Sequence, residues 1–255
     1  MLARADGVAS LPRLGGMARP DGVVIVSERY WAFAGVDGSV REGSMPAATR
    51  RLARIPLVRG LIRLTASLSP LFRRRGVARG RERAFLLGAL LAPIGLAFVP
   101  HVYALAGGIA ITVALVLWLM RGRTLHLHGA EHRAIAATEE RRLLAAWTGA
   151  ARPSRFAPRC GTNFAALAIP ITTLADRLWP LGVAAYTPVV VAVLSLAVTM
   201  ELWRVVQSAR GWRRAFLLPG LALQRLTTRE PALDETRVAL AAVASVLRRE
   251  LALPS

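Results

Sequence analysis

The residues best suited to chemistry lie in His128-Gly129-Ala130-Glu131-His132, which has the form H-x-x-E-H. On a helix, a step of four residues overshoots one turn by about 40°, so both imidazoles can reach one divalent ion, with Glu131 near the same face. In proteins with this pattern two histidines hold zinc and the glutamate serves as base. A hydrogen-bonded histidine pair that holds a loop in place fits the spacing as well. Glu139 falls about 20° from His128 around the same helix, on a stripe with Ile135 and Leu143, whereas Arg133, Glu140 and Arg141 project elsewhere. It stands seven residues beyond His132, about 10 Å along an ideal helix, which places it in a supporting network and not in the metal shell. Cys160, in Arg159-Cys160-Gly161-Thr162, reads as a third ligand, a nucleophile or a small residue buried at a turn. Glu201, within a long apolar stretch, is either a fourth ligand or the ion-pair partner of Arg204. His126 reads as an exposed neighbour of the motif, and His101 as part of an outer turn.

The elements that carry these residues are mostly apolar. The chain has 255 residues, 54% of them hydrophobic, and a mean hydropathy of +0.43. The net charge of +19 comes from 34 arginines without a lysine. Sixteen arginines precede residue 84, eight lie between 121 and 163, nine follow 203, and only Arg177 stands inside the second apolar half. Basic segments separated by apolar ones follow the positive-inside rule, so no nucleic-acid partner is expected, and the bilayer with its anionic headgroups is. The missing lysine removes mechanisms that need a Walker lysine, a Schiff base or a Ser-x-x-Lys pair. A single cysteine excludes an intrachain disulfide. Met1 to Arg13 lacks the apolar core of a cleavable signal.

The spacing predicts a mainly α-helical polytopic membrane protein with about four transmembrane helices, a small N-terminal β-containing cytoplasmic lobe and a cytoplasmic helical tail. Residues 1–83 form the lobe, with β runs at Gly22–Ser27 and Arg29–Ala34, a turn at Asp37-Gly38, and a basic amphipathic helix between Pro46 and Arg75. Residues 84–120 form a hairpin turning near Pro100-His101, and 121–163 a cytoplasmic loop with one helix from Leu127 to about Trp147. Residues 164–206 form a second hairpin, in which Phe164–Ala175 is short and Leu181–Val206 is long enough to cross. The tail, 207–255, breaks at Pro219-Gly220 and ends in a helix capped by Asp234 and carrying Leu240, Val243, Leu247 and Leu251. The arginines from Arg73-Arg74-Arg75 to Arg83 serve topology or anionic lipid.

Four blocks of residues resemble the YqhQ-like family of bacterial membrane proteins, a domain of unknown function whose members carry the label of metal-dependent enzymes. They are His128-Gly-Ala-Glu-His132-Arg-Ala-Ile135 with the trailing Glu139, Arg159-Cys-Gly-Thr162, Pro219-Gly-Leu-Ala-Leu-Gln224-Arg-Leu-Thr227-Thr228-Arg-Glu230-Pro231, and the weaker Arg54-Ile-Pro56-Leu-Val-Arg59-Gly60. Glu201 matches a glutamate of the family's last span, and the resemblance runs from about Gly15 to Val243. The family's opening G-G-Q-A-V-I-E-G is reduced to Gly15-Gly16-Met17-Ala18-Arg19-Pro20, and Arg133 replaces the usual lysine. The resemblance implies a bacterial membrane protein, and the arginine distribution predicts a multi-pass protein of the inner membrane with both termini cytoplasmic.

The expected function is that of a metal-dependent integral membrane enzyme, such as a hydrolase, with its site at the cytoplasmic membrane face. His128 and His132 would hold a divalent ion such as zinc, Cys160 or Glu201 would complete the shell, and Glu131 would act as base or ligand. Glu139, Gln224, Thr227, Thr228 and Glu230 would line a substrate surface or support the ligands. A non-catalytic membrane scaffold is the alternative, and solute movement dependent on Glu201 a weaker third. The substrate is not legible, and self-association stays open.

Overall fold

Two β-branched, aromatic-rich runs near the N-terminus form the centre of a four-stranded antiparallel meander: β1 (Gly15–Arg19), β2 (Gly22–Val26), β3 (Tyr30–Gly35) and β4 (Val40–Ser44), in the order 1-2-3-4. The computed structural model describes residues 1–46, 54–73, 76–96, 98–180, 186–207 and 211–251, with backbone alone at 90, 93, 94, 101, 104, 105 and 213. The expected turn closes β3 onto β4 with Gly38 at φ +81°, and the Asp37 carboxylate accepts from the Ser39 amide and hydroxyl. In chain order the helices are α1 (Leu2–Asp6), α2 (Val58–Phe72), α3 (Gly80–Leu96), α4 (His101–Leu119), α5 (Thr124–Glu139), α6 (Leu143–Thr148), α7 (Gly161–Arg177), α8 (Thr187–Val206), α9 (Leu218–Thr227) and α10 (Leu233–Leu251). A 3₁₀ segment, Gly211–Leu217, precedes α9.

The chain divides into two units, each assembled from separate stretches: Met1–Ala47, Met120–Cys160 and Leu221–Ser255 make the first, Ala48–Leu119 and Gly161–Gly220 the second. The first unit packs α5 and α10 together on the sheet. Alanines at 130, 134 and 137 let α5 approach closely, and Leu127 joins Leu240, Val243, Val246 and Leu247 of α10 over Val23 and Ile25 of β2. Each of these residues is fully buried, which contributes about 1.5–3 kcal/mol per large aliphatic side chain. Of the stripe expected on the last helix, Leu240, Val243 and Leu247 enter the core, whereas Leu251 is half-buried. Glu235, not Asp234, caps that helix, by accepting from the Ala232 amide at 2.9 Å.

The single helix expected from Leu127 to Trp147 is broken in two. Arg141 adopts φ +57° and donates to the carbonyls of Val8 and Ala9, while Asp6 accepts the amides of Leu143 and Leu144 and so starts α6. Long-range polar contacts with α1 and the chain after it thus override local helix propensity.

In the second unit, α7 and α8 pack along each other with Phe164 edge-on to Trp203, and α3 pairs with α4 through Phe85 and Trp118. The α2 helix is pinned to α8: Arg59 donates to Glu201 at 2.7 and 2.5 Å, the Leu57 amide adds a third bond, and Gly60 lies against Met200. Outward-facing Val102, Tyr103, Ile109, Val113 and Leu117 leave α4 with an exposed apolar face.

The four-span architecture is not what this chain forms. Among the described residues one helix, Thr187–Val206, is long and apolar enough by itself to cross a membrane; a second candidate arises only if Ala106–Leu119 and Thr124–Glu139 are joined as one broken span. The run at 84–120 is divided by helix ends at Leu96 and His101. The 17 residues of α3 rise about 26 Å, short of a hydrocarbon core of about 30 Å, and its first turn carries Arg81, Glu82 and Arg83. The equally short α7 contains Pro170 and ends in Asp176-Arg177. A cytoplasmic lobe of 1–83 is likewise split, since its strands belong to the first unit and α2 to the second. The expectations for Arg74-Arg75, for 47–53 and for 181–185 fall outside the described residues, as does the His101 side chain.

Leu240→Ala is expected to lower the unfolding free energy of the first unit by about 2–5 kcal/mol, seen as a lower Tm, because a fully buried methyl pair leaves a cavity between α10 and the sheet.

Candidate metal centre

The site is built where α5 meets two pieces of irregular chain. At Gly129 a Cβ would run into the Arg229 carbonyl, so the glycine lets residues 229–231 cross directly over the helix, where the Arg229 amide donates to Leu125 O at 2.9 Å. This crossing brings the Thr227 carbonyl to His128, whose Nδ1 lies 2.8 Å away. On the other side, His132 Nδ1 lies 2.6 Å from the Arg155 carbonyl. A carbonyl can only accept, so both rings carry their proton on Nδ1 and turn an Nε2 lone pair inward.

The fit to a metal follows from what those lone pairs meet. His128 Nε2 is 3.3 Å from Cys160 Sγ, and one donor atom from each of His128, His132 and Cys160 lies within 4.8 Å of the others. His132 Nε2 is buried and has no hydrogen-bond partner, an arrangement that costs about 1–3 kcal/mol unless a cation or polar group occupies the space. The two rings sit 4.5 Å apart at 64°. His132 and Cys160 are buried and His128 half-buried, so the cluster has one accessible side. Nitrogen and sulfur donors on three residues form a set that could hold a metal ion.

Glu131 does not join this set. Its carboxyl turns towards β1, where Gly16 leaves room for it and the Ala18 amide donates to it. Burial pushes that carboxyl up to about 7, against the opposing effects of His128 and the amide. The shortened opening block therefore packs directly against the motif. The Asp21 carboxylate accepts from buried Arg19 at 3.0 Å.

The supporting residues are distributed differently from the helical stripe. Glu139 is exposed, not turned into the protein, and pairs with Arg159 beside Cys160. Arg133 is buried where the stripe projected it outward: it donates to the carbonyls of Pro153 and Pro231 and to Glu230 at 2.5 Å. Gln224, fully buried, grips both sides of one peptide position, donating to Ala157 O at 2.8 Å and accepting from Ala157 N at 2.9 Å. Thr227 contributes its carbonyl, with its hydroxyl turned to Leu223 O. Thr228 and Glu230 both hold Arg155, the residue whose carbonyl anchors His132. Glu201 lies in the second unit with Arg59 and Arg204. His126 is exposed. Arg155, Ala157, Gly129 and Gly16 were not singled out by sequence; only the glycines, as small residues inside a motif and a strand, gave a signal.

Fold and site together define a helix-and-meander unit carrying a His-His-Cys cluster, joined to a mainly apolar helical unit. The chain belongs to the family described as "Protein of unknown function (DUF1385)", whose model matches residues 104–249, and the YqhQ-like resemblance is thereby shown. No curated protein and no solved structure matches it.

Gln224→Leu leaves the Ala157 amide and carbonyl without partners and should lower stability by about 2–5 kcal/mol. The same change should weaken cobalt or zinc binding about 10–100-fold in titration, since the 155–160 loop carries both Cys160 and the His132 anchor.

Proposed function

We propose that this protein is a membrane-associated, metal-dependent enzyme, and that His128, His132 and Cys160 hold a divalent ion, zinc by preference. The observation that carries the reading is the pair of imidazoles oriented by backbone carbonyls, one of them with a buried, partnerless Nε2. Two imidazoles and a thiolate suit zinc, and three protein ligands leave a position for water or substrate. The ion would supply Lewis acidity to a substrate oxygen or an attacking water. Glu131, whose carboxyl lies against β1 at Gly16, would take up the proton on turning towards the donor set. Hydrolysis is the reaction class this donor set favours. Association with the bacterial inner membrane is supported by the length and apolarity of α8.

A non-catalytic scaffold is the second reading, favoured by the motif residues, Arg133 and Gln224 among them, that bind loop backbone.

Elemental analysis of the purified full chain should find close to one zinc, iron or manganese per chain, lost in the folded His128→Ala, His132→Ala double variant. No metal in either protein after reconstitution overturns the metal reading in favour of the scaffold. In the metal-loaded protein, Glu131→Gln should keep the metal and lower hydrolysis of p-nitrophenyl acetate about 100-fold or more. Metal without any such hydrolysis would leave a structural centre.

A further inference from the structure

The end of α8 nearest Val206 is surrounded by residues that a water-soluble surface would not display. The 3₁₀ segment exposes Trp212 at 75% and Phe216 at 48%, their rings 6.1 Å apart, and Leu218 follows at 62%. Next to Glu201, the entry to α2 exposes Ile55 at 47%, Leu57 at 39% and Val58 at 36%. This second group is fixed to the same end of α8 by the bonds of Glu201 to Arg59 and the Leu57 amide, and the 3₁₀ segment packs on α8 as well. All of these residues belong to the second unit.

Charge identifies what covers them. From 54 to 73 and from 186 to 220 the only acidic residue is Glu201, held by Arg59 and Arg204, while Arg54, Arg63 and Arg214 are exposed. Aromatic and aliphatic side chains interleaved with unneutralised arginines, at the end of a helix with the length and apolarity of a span, match the glycerol and headgroup layer of a bilayer. A protein groove would need complementary acids for three arginines, whereas anionic lipid supplies them throughout its surface.

We infer that the 3₁₀ segment and the entry to α2 form an interfacial collar around this end of α8, seated among anionic lipid headgroups. The inference rests on the membrane association of α8 and adds the depth and lipid chemistry of one end. The collar sets how far α8 enters the bilayer: Trp212 and Phe216 lie at the level of the glycerol backbone, and the arginines reach phosphate above it.

The test uses the full chain in liposomes, with Trp212→Phe to isolate one emission among six tryptophans. The variant changes an exposed side chain, so folding is preserved. The difference between wild type and variant should be quenched at least twofold more by lipid brominated at carbons 6 and 7 than by lipid brominated at 11 and 12. Brominated phosphatidylglycerol should quench it more than brominated phosphatidylcholine at equal mole fraction. Equal quenching by the two headgroups would overturn the anionic assignment. An unquenched Trp212 in protein that resists alkaline carbonate extraction would overturn the collar while leaving α8 in the membrane, and release of the protein by carbonate would remove the membrane reading itself.

Discussion

Everything at the candidate centre depends on two backbone carbonyls. Thr227 O and Arg155 O take the Nδ1 protons of His128 and His132, and this choice of tautomer turns both free nitrogens towards Cys160. Neither carbonyl is used in a helix ladder: Thr227 O ends α9, and Arg155 O is presented by irregular chain that needs its own support. Gly129 admits one piece against α5, Gln224 and Thr228 hold the other, and Arg133 with Glu230 ties both down. A motif spread over a hundred residues is in this sense one object: three donor atoms and the frame that aims two of them.

The chemistry was more legible in the sequence than its frame. The H-x-x-E-H spacing and Cys160 brought the three donors together, because helical periodicity settles one pair and few residue types bind metals. The strands β2 and β3, the turn at Gly38 that follows β3 and the buried stripe of α10 were also readable from alternation, glycine and 3.6-residue periodicity. The β1 strand was not, since Gly-Gly-Met-Ala-Arg carries no β signal and exists through pairing with β2. Glu139 and Arg133 changed places relative to the helical stripe because a wheel knows nothing of the chain that crosses over it. Asp6 and Arg141, far apart in sequence, end one helix and begin another.

The membrane count failed for a related reason. The helix ends at Leu96, His101 and Arg177 fall at the expected turns, but α3 and α7, of 17 residues each, are too short to cross a hydrocarbon core of about 30 Å.

The first unit alternates with the second along the chain, and this has a consequence for synthesis. Its sheet, complete by Ser44, is covered by α10, and Ser27 reaches Glu250 while Glu42 reaches Ser245. At about 5–20 residues per second, the nascent sheet waits roughly 10 to 45 s for the helix that shields Val23 and Ile25. Throughout that interval its apolar face and unpaired edges are open to other chains. A ribosome-bound chaperone, or early anchoring of the intervening apolar helices, would keep translating copies of this protein apart until the last segment arrives.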